Sequence, residues 1–245
     1  MVKRKLLLIS NSTNFGGEYL EHCASQCRDF LSGCKTVCFV PYALTDTEGY
    51  FNKVENAFKK YNICEQVTNV AQKGGNPKEI IQSADAVFVG GGNTFRLLKK
   101  LYDNDLISLI RKRVFEENMR YMSASAGTNV SCPTIRTTND MPILFPPSFN
   151  ALQLVPFQIN PHFIDKHTLE SLKHNGETRE QRIQEFHEEL ENQHVPVIGL
   201  REGAMLLVED DTMTLCGANG AKIFANSQEI EKVTGDDLSS YLKSN

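Results

Sequence analysis

Arg120-Tyr121-Met122-Ser123-Ala124-Ser125-Ala126-Gly127-Thr128-Asn129 is the stretch on which the reading of the fold turns. A short apolar run ends in small residues, and a helix can begin just after it. This is the pattern of a strand–turn–helix elbow with Ser125 at its tip. Such an elbow is usually written G-x-S-x-G, because a tight, strained turn leaves no room for side chains beside the nucleophile. Gly127 supplies the second glycine, and Ser123 stands where the first is expected. Small residues are common at strand ends, so taken alone the stretch also reads as an ordinary βα turn.

Outward from the elbow, the first half of the chain alternates strand and helix. Lys5–Ser10, Lys35–Tyr42, Ile63–Val70 and Ala86–Val89 read as strands. Gly17–Leu31, Tyr50–Tyr61, a short helix capped by Asn76 with Pro77 at its first position, Thr94–Tyr102 and Asp105–Glu117 read as helices. The near-continuous apolar run of Ala86–Val89 suits a strand covered by helices on both faces. This rhythm predicts an α/β fold with a doubly wound, mostly parallel sheet and right-handed crossovers. After the elbow, six prolines fall within 132–162, which predicts a long irregular segment with short antiparallel strands near Met141–Leu144 and Gln153–Phe157. Thr178-Arg179-Glu180-Gln181 is a capping box opening a helix to about Glu191. Val195–Leu200, Ala204–Val208, Met213–Cys216 and Lys222–Phe224 predict an antiparallel C-terminal extension of the sheet. No repeat or linker interrupts the chain, so residues 1–245 are expected to form a single α/β domain.

Composition excludes several classes. At 245 residues with 40% hydrophobic and 23% charged residues, an ordinary globular core is expected. The net charge of -4 gives no electrostatic reason to expect nucleic acid. Seven cysteines at irregular spacing read as reduced, buried thiols and not as a disulfide framework or metal site. The apolar run after Met1-Val2-Lys3-Arg4 is too short for a signal peptide, and no run approaches membrane-spanning length. A cytoplasmic protein acting without a membrane is the expectation.

In open α/β sheets, ligands bind beyond the carboxyl ends of the strands. Two small-residue turns fall there, the elbow and Gly90-Gly91-Gly92-Asn93-Thr94. Successive glycines before a helix can present backbone N–H groups to a phosphate or to the oxyanion of an acyl-transfer intermediate. They also make a tight turn with Asn93 as helix cap. Neither the dinucleotide nor the P-loop spacing is present, which ranks nucleotide binding last. A nucleophilic Ser125 needs a base, and the base needs an orienting acid. Of six histidines, His22, His174, His187 and His194 lie on charged or surface-like segments. His162 stands on the irregular segment, where loops carry catalytic groups, and His167 is its competitor. Asp140 and Glu202 both remain open as the acid.

Together these residues resemble the alpha-aspartyl dipeptidase (peptidase E) family of serine peptidases, whose fold is like that of the class I glutamine amidotransferases. The matching blocks are GGGNT at 90–94, Ser125-Ala126-Gly127, CPTIRTTNDMP at 132–142, QINPHF at 158–163, GETREQR at 176–182 and GLREG at 199–203. The resemblance implies Ser125 as nucleophile and His162 as general base. It leaves Glu202 and Asp140 as candidates for the acid, with Glu202 preferred and Asp140 organising the loop or substrate site. It implies backbone N–H groups of Gly91 or Gly92 and of Ala126 as the oxyanion hole. Arg179 would bind the aspartyl carboxylate of an Asp-Xaa dipeptide through its planar fork, and Asn93 would help hold the free amino terminus. No metal or cofactor is implied, the partner is a small peptide, and a monomer or homodimer is expected.

Two positions depart from the family pattern. Ser123 replaces a glycine and is expected to strain the elbow. Arg201 replaces a proline and is expected to loosen the turn that carries Glu202. Two other functions fit the same residues. One is a cyanophycinase-like peptidase acting on β-linked Asp-Arg polymer; the other is a non-catalytic aspartate- or peptide-binding protein on this fold.

Overall fold

The computed structural model describes residues 3–171 and 176–243. Its strands in chain order are β1 (Lys5–Ile9), β2 (Thr36–Val40), β3 (Gln66–Asn69), β4 (Ala86–Val89), β5 (Arg120–Ala124), β6 (Gln158–Phe163), β7 (Val197–Arg201), β8 (Ala204–Glu209), β9 (Thr212–Gly217), β10 (Ala221–Ala225) and β11 (Gln228–Lys232). The helices are α1 (Ala24–Phe30), α2 (Thr47–Lys60), α3 (Pro77–Ser83), α4 (Thr94–Asp103), α5 (Leu106–Glu116), α6 (Ala126–Asn129), α7 (Lys166–Ser171) and α8 (Arg179–Glu188).

The larger sheet runs in the order β3-β2-β4-β5-β1-β8-β9. Its first five strands are parallel, and β8 and β9 are antiparallel additions beyond β1. Alternation along each strand divides the core in two. Leu6, Leu8, Val87, Val89 and Tyr121 pack with α3, α4 and α5 on one face. Leu7, Ile9, Phe39, Phe88 and Met122 pack with α1 and α2 on the other. Each fully buried Leu, Ile or Phe contributes about 1.5–3 kcal/mol relative to exposure. Two buried faces therefore explain why these strands read as unbroken apolar runs. Local signals fix the helix starts. Asp46 accepts from the Gly49 amide at 2.8 Å, Asn76 from Lys78 at 3.0 Å and Asn93 from Arg96 at 3.0 Å.

Three expectations are corrected. The expected antiparallel C-terminal extension of the sheet is present as β8 and β9, but β7 and β10 leave it and join β6 and β11 in a second sheet of order β11-β10-β7-β6. Gly203, at φ 85, lets the chain turn out of β7 and pass into β8 of the larger sheet. Strand β6 pairs parallel to β7, and Ile198, Leu200 and Ile223 of the second sheet join the core shared with α4 and α5. The anticipated strands at Met141–Leu144 and Gln153–Phe157 are irregular chain. Proline at 142, 146, 147 and 156 removes ladder donors, and side chains hold the backbone instead. Tyr102 donates to the Asn150 carbonyl at 2.8 Å, Arg111 to that of Gln153 at 3.0 Å and Arg4 to that of Leu154 at 2.9 Å. The helix expected over Gly17–Leu31 shortens to a 3₁₀ turn at Glu21–Cys23 followed by α1. Gly16 at φ 76 and Leu20 at φ 60 break its first turns.

Candidate active site

Ser125 leaves β5 with φ 54 and ψ −113, a backbone combination that an L-residue keeps only when its surroundings impose it. Those surroundings are visible. The Ser125 amide donates to the Ile9 carbonyl at 3.1 Å, and its own carbonyl accepts from Thr128 at 2.8 Å and Asn129 at 3.0 Å. A Cβ on Gly127 would run into the Val89 carbonyl, so the second elbow glycine is required sterically. The first is not. Ser123 is buried within β5, and its hydroxyl lies 3.0 Å from that of Thr128, which donates to Ile9 at 2.7 Å. The expected strain at Ser123 is absent because its side chain occupies a bonded position inside the elbow.

His162 reaches Ser125 from the second sheet. Its Nε2 lies 2.9 Å from Ser125 Oγ, and its Nδ1 lies 2.6 Å from Glu202 Oε1. Pairing of β6 with β7 skips from Pro161 to Phe163, leaving His162 as an extra residue at φ 54. A bulge of this kind re-aims a side chain out of the sheet. The His162 amide donates out of the ladder to Ser10 Oγ at 2.9 Å, whose own hydroxyl donates to the Leu200 carbonyl at 2.8 Å. Glu202 lies in the turn between β7 and β8. Asn219 Nδ2 donates to its carbonyl at 2.8 Å, and Asn11 Oδ1 accepts from the next amide, Gly203, at 2.7 Å.

Asp140 is elsewhere. Its Oδ2 accepts from the Thr94 amide at 2.7 Å and the Thr94 hydroxyl at 2.6 Å, so it is bound at the start of α4 and not at the His162 ring. Its segment is laced to β6. Asn139 donates to the Pro161 carbonyl at 2.8 Å, Thr137 to that of Ile159 at 3.0 Å, and Asn160 back to Thr137 at 2.8 Å. The Asn93 side chain caps α4 through Oδ1, which accepts from Arg96, and donates from Nδ2 to the Met141 carbonyl at 2.9 Å. Arg179 opens α8 behind the Thr178–Gln181 capping box and is half-buried. Burial and the neighbouring Arg182 lower its pKa, and the Asp140 carboxylate opposes them, so Arg179 and Asp140 share one electrostatic neighbourhood.

The glycine turn abuts the elbow. A Cβ on Gly91 would lie 3.0 Å from that of Ser125. The turn is pinned on both sides by Gly90 donating to Val40 at 3.2 Å and Asn93 donating to Ala43 at 3.0 Å. Burial pushes the Tyr50 phenol up, against hydrogen bonds from Tyr19 and from the Gly91 backbone. Among the described residues the Gly91, Gly92 and Ala126 amides, all near the elbow, have no backbone acceptor.

His167 is exposed on α7 and His194 is exposed, whereas His187 Nε2 donates to the Val195 carbonyl at 2.9 Å and both ring nitrogens of His22 are buried. His174 lies outside the described residues. All seven cysteines are free, and burial pushes the Cys38 and Cys132 thiols up to about 12, which makes them inert. Ser10, Asn11 and Asn219, which hold His162 and the Glu202 turn, carried no sequence signal; each is a common turn residue whose partner is remote in the chain.

The fold and the site define an α/β serine peptidase. A family model described as Peptidase family S51 matches residues 6–216. A protein named Peptidase E from Streptomyces coelicolor is 48% identical over 238 residues, covering 97% of this chain and 94% of its own length. A Drosophila melanogaster protein named "Probable alpha-aspartyl dipeptidase" is 43% identical over 225 residues, covering 90% of each chain. A crystal structure of a peptidase from an acI-B1 Actinobacterium superposes with a TM-score of 0.70 at 16% identity, covering 97% of both chains. The chain belongs to peptidase family S51.

Proposed function

We propose that this protein is a serine-type dipeptidase that removes N-terminal aspartate from Asp-Xaa through a Ser125–His162–Glu202 triad and an acyl-enzyme. The observation that carries the reading is the His162 ring bridging Ser125 Oγ at 2.9 Å and Glu202 Oε1 at 2.6 Å. In this mechanism His162 Nε2 takes the Ser125 proton as Oγ attacks the scissile carbonyl. Glu202 holds the Nδ1–H tautomer and stabilises the imidazolium. The amide of Gly91 or Gly92, with that of Ala126, receives the developing oxyanion. His162 then returns the proton to the leaving amino group, and the C–N bond breaks to leave an aspartyl ester on Ser125. Water, deprotonated by the same imidazole, hydrolyses the ester and restores the hydroxyl.

The acidic side chain of the substrate pairs with Arg179, whose fork suits a carboxylate and whose partial burial strengthens the attraction. Asp140, held at the start of α4 by Thr94, lies in the same electrostatic neighbourhood as Arg179. Names of relatives, an alpha-aspartyl dipeptidase among them, support the same substrate class. Residues 1–245 act as one α/β unit, in the cytoplasm, on free peptide and without nucleic acid, as a monomer or homodimer. Among the described residues no helix is long and apolar enough to cross a membrane. The test is hydrolysis of Asp-Leu by the purified protein and by Ser125→Ala. Turnover by the wild type and its loss in the variant are expected; equal rates in both would sink the proposal.

A further inference from the structure

We infer that Arg201 and Asp165 form a positioning pair that holds Glu202 on His162, so that Arg201 serves the reaction without touching the substrate. The inference rests on the triad proposed above. Arg201 ends β7, one residue before Glu202, and Asp165 follows the end of β6, three residues after His162. The Arg201 guanidinium grips the Asp165 carboxylate with two parallel bonds, Nε to Oδ2 at 2.7 Å and Nη2 to Oδ1 at 2.7 Å. The two side chains are 17% and 11% exposed. A bidentate bond with this little water is geometrically specific.

Because the β6–β7 ladder skips His162, no ladder hydrogen bond sets the separation of the base from the acid. Burial does not set it either, since the His162 and Glu202 side chains are 39% and 49% exposed. Beyond the bulge the ladder resumes only at Phe163–Arg201, and the fork adds a side-chain tie between the strand end carrying His162 and the strand end carrying Glu202. A second path reinforces the first. Arg201 Nη1 donates to the Asn219 carbonyl at 3.2 Å, and Asn219 Nδ2 donates to the Glu202 carbonyl at 2.8 Å. Glu231 accepts from Nη2 at 2.9 Å, fixing the far side of the guanidinium. The turn expected to be loosened by losing a proline is therefore restrained through its side chain.

A positioning role differs from a purely structural one in how it combines with loss of Glu202. Steady-state hydrolysis of Asp-Leu is compared for Arg201→Met, Arg201→Lys, Asp165→Asn, Glu202→Gln and the Arg201→Met/Glu202→Gln double variant, with melting temperatures measured alongside. Arg201→Met is expected to lower kcat about tenfold with KM changed by less than about twofold, the cost of a misplaced catalytic group. Asp165→Asn should reproduce this, and Arg201→Lys should recover only part, because an ammonium keeps the charge but not the fork. In the Glu202→Gln background, Arg201→Met should cost less than about a further twofold, since the group it positions is already lost. Multiplying losses in the double variant, or wild-type kcat in both Arg201→Met and Asp165→Asn, would overturn the pair. Wild-type kcat in Glu202→Gln would overturn the triad itself.

Discussion

The hydroxyl of Ser123 lies 3.0 Å from that of Thr128, which hands its proton to the Ile9 carbonyl at 2.7 Å. A side chain at a position usually kept empty thus fastens the first turn after the elbow to the neighbouring strand. It points into the sheet and away from the nucleophile. Because the Thr128 proton goes to Ile9, Ser123 is the donor to Thr128, and Ser123→Ala removes that donor while Thr128 keeps its bond to Ile9. The expected cost is about 1 kcal/mol of stability, with kcat/KM for Asp-Leu within about twofold of wild type. Chemical denaturation and initial rates on the same preparation check both halves.

Backbone strain is concentrated at Ser125, and this gives a sign that can be tested. Its φ of 54 with ψ of −113 suits glycine better than any residue with a Cβ. Ser125→Gly and Ser125→Ala should each lose at least about 10³-fold in kcat/KM. Ser125→Gly should nevertheless be the more stable of the two by about 1 kcal/mol, the strain released less the entropy of the added glycine. Gly127→Ala should do the opposite. Its methyl group meets the Val89 carbonyl, so stability falls by about 1–3 kcal/mol and activity is lost as the elbow shifts. Urea midpoints for the three variants would rank them.

The sequence carried the parts of this protein that depend on local patterning. The apolar runs of β1, β2, β4 and β5, the caps at Asn76, Asn93 and Thr178, and the elbow at Ser125 all announce themselves within a few residues. What was not legible depends on remote partners. That β6 and β7 leave the main sheet follows from where Gly203 turns the chain, and no period of hydrophobicity encodes it. Asp140 and Glu202 both sit in turns after suitable blocks. Only the third dimension shows one carboxylate on Thr94 and the other on His162. The same holds for Arg201, whose side chain bonds Asp165, distant in sequence.

Those two carboxylates should be separable by kinetics. Glu202→Gln is expected to lower kcat by about 10–10³-fold, less than loss of a buried triad acid, because Glu202 is half-exposed and water can replace part of its field. Asp140→Asn should leave kcat nearer to wild type, raise KM and weaken the α4 cap by about 1 kcal/mol. If Asp140→Asn instead lost more kcat than Glu202→Gln, the assignment of the acid would have to be reversed.

Arg179 offers a test of substrate class that does not depend on the triad. Replacing it with Met keeps the length of the stem while removing the fork. KM for Asp-Leu should rise about 10–100-fold, and the preference for Asp-Leu over Asn-Leu should shrink by a similar factor. Arg179→Lys should rescue only part of this preference. An unchanged Asp/Asn preference in Arg179→Met would place the specificity group elsewhere.

Asp165 makes the stability of the second sheet depend on pH in a defined direction. Hydrogen bonds from Arg201 hold its carboxyl below the ordinary range, with the charges of Arg201 and Lys222 adding to them and burial opposing. The folded protein therefore releases this proton more readily than the unfolded chain. The stabilisation is complete above the unfolded carboxyl pKa of about 3.9 and is lost as pH falls through the lower folded value. Asp165→Asn lacks it at every pH. The variant should melt below wild type at neutral pH, and the gap should close as the pH is taken below about 4. Thermal melts from pH 7 to pH 3 would show it. A gap that stayed constant over that range would mean that Asp165 stabilises the fold through packing and not through its charge.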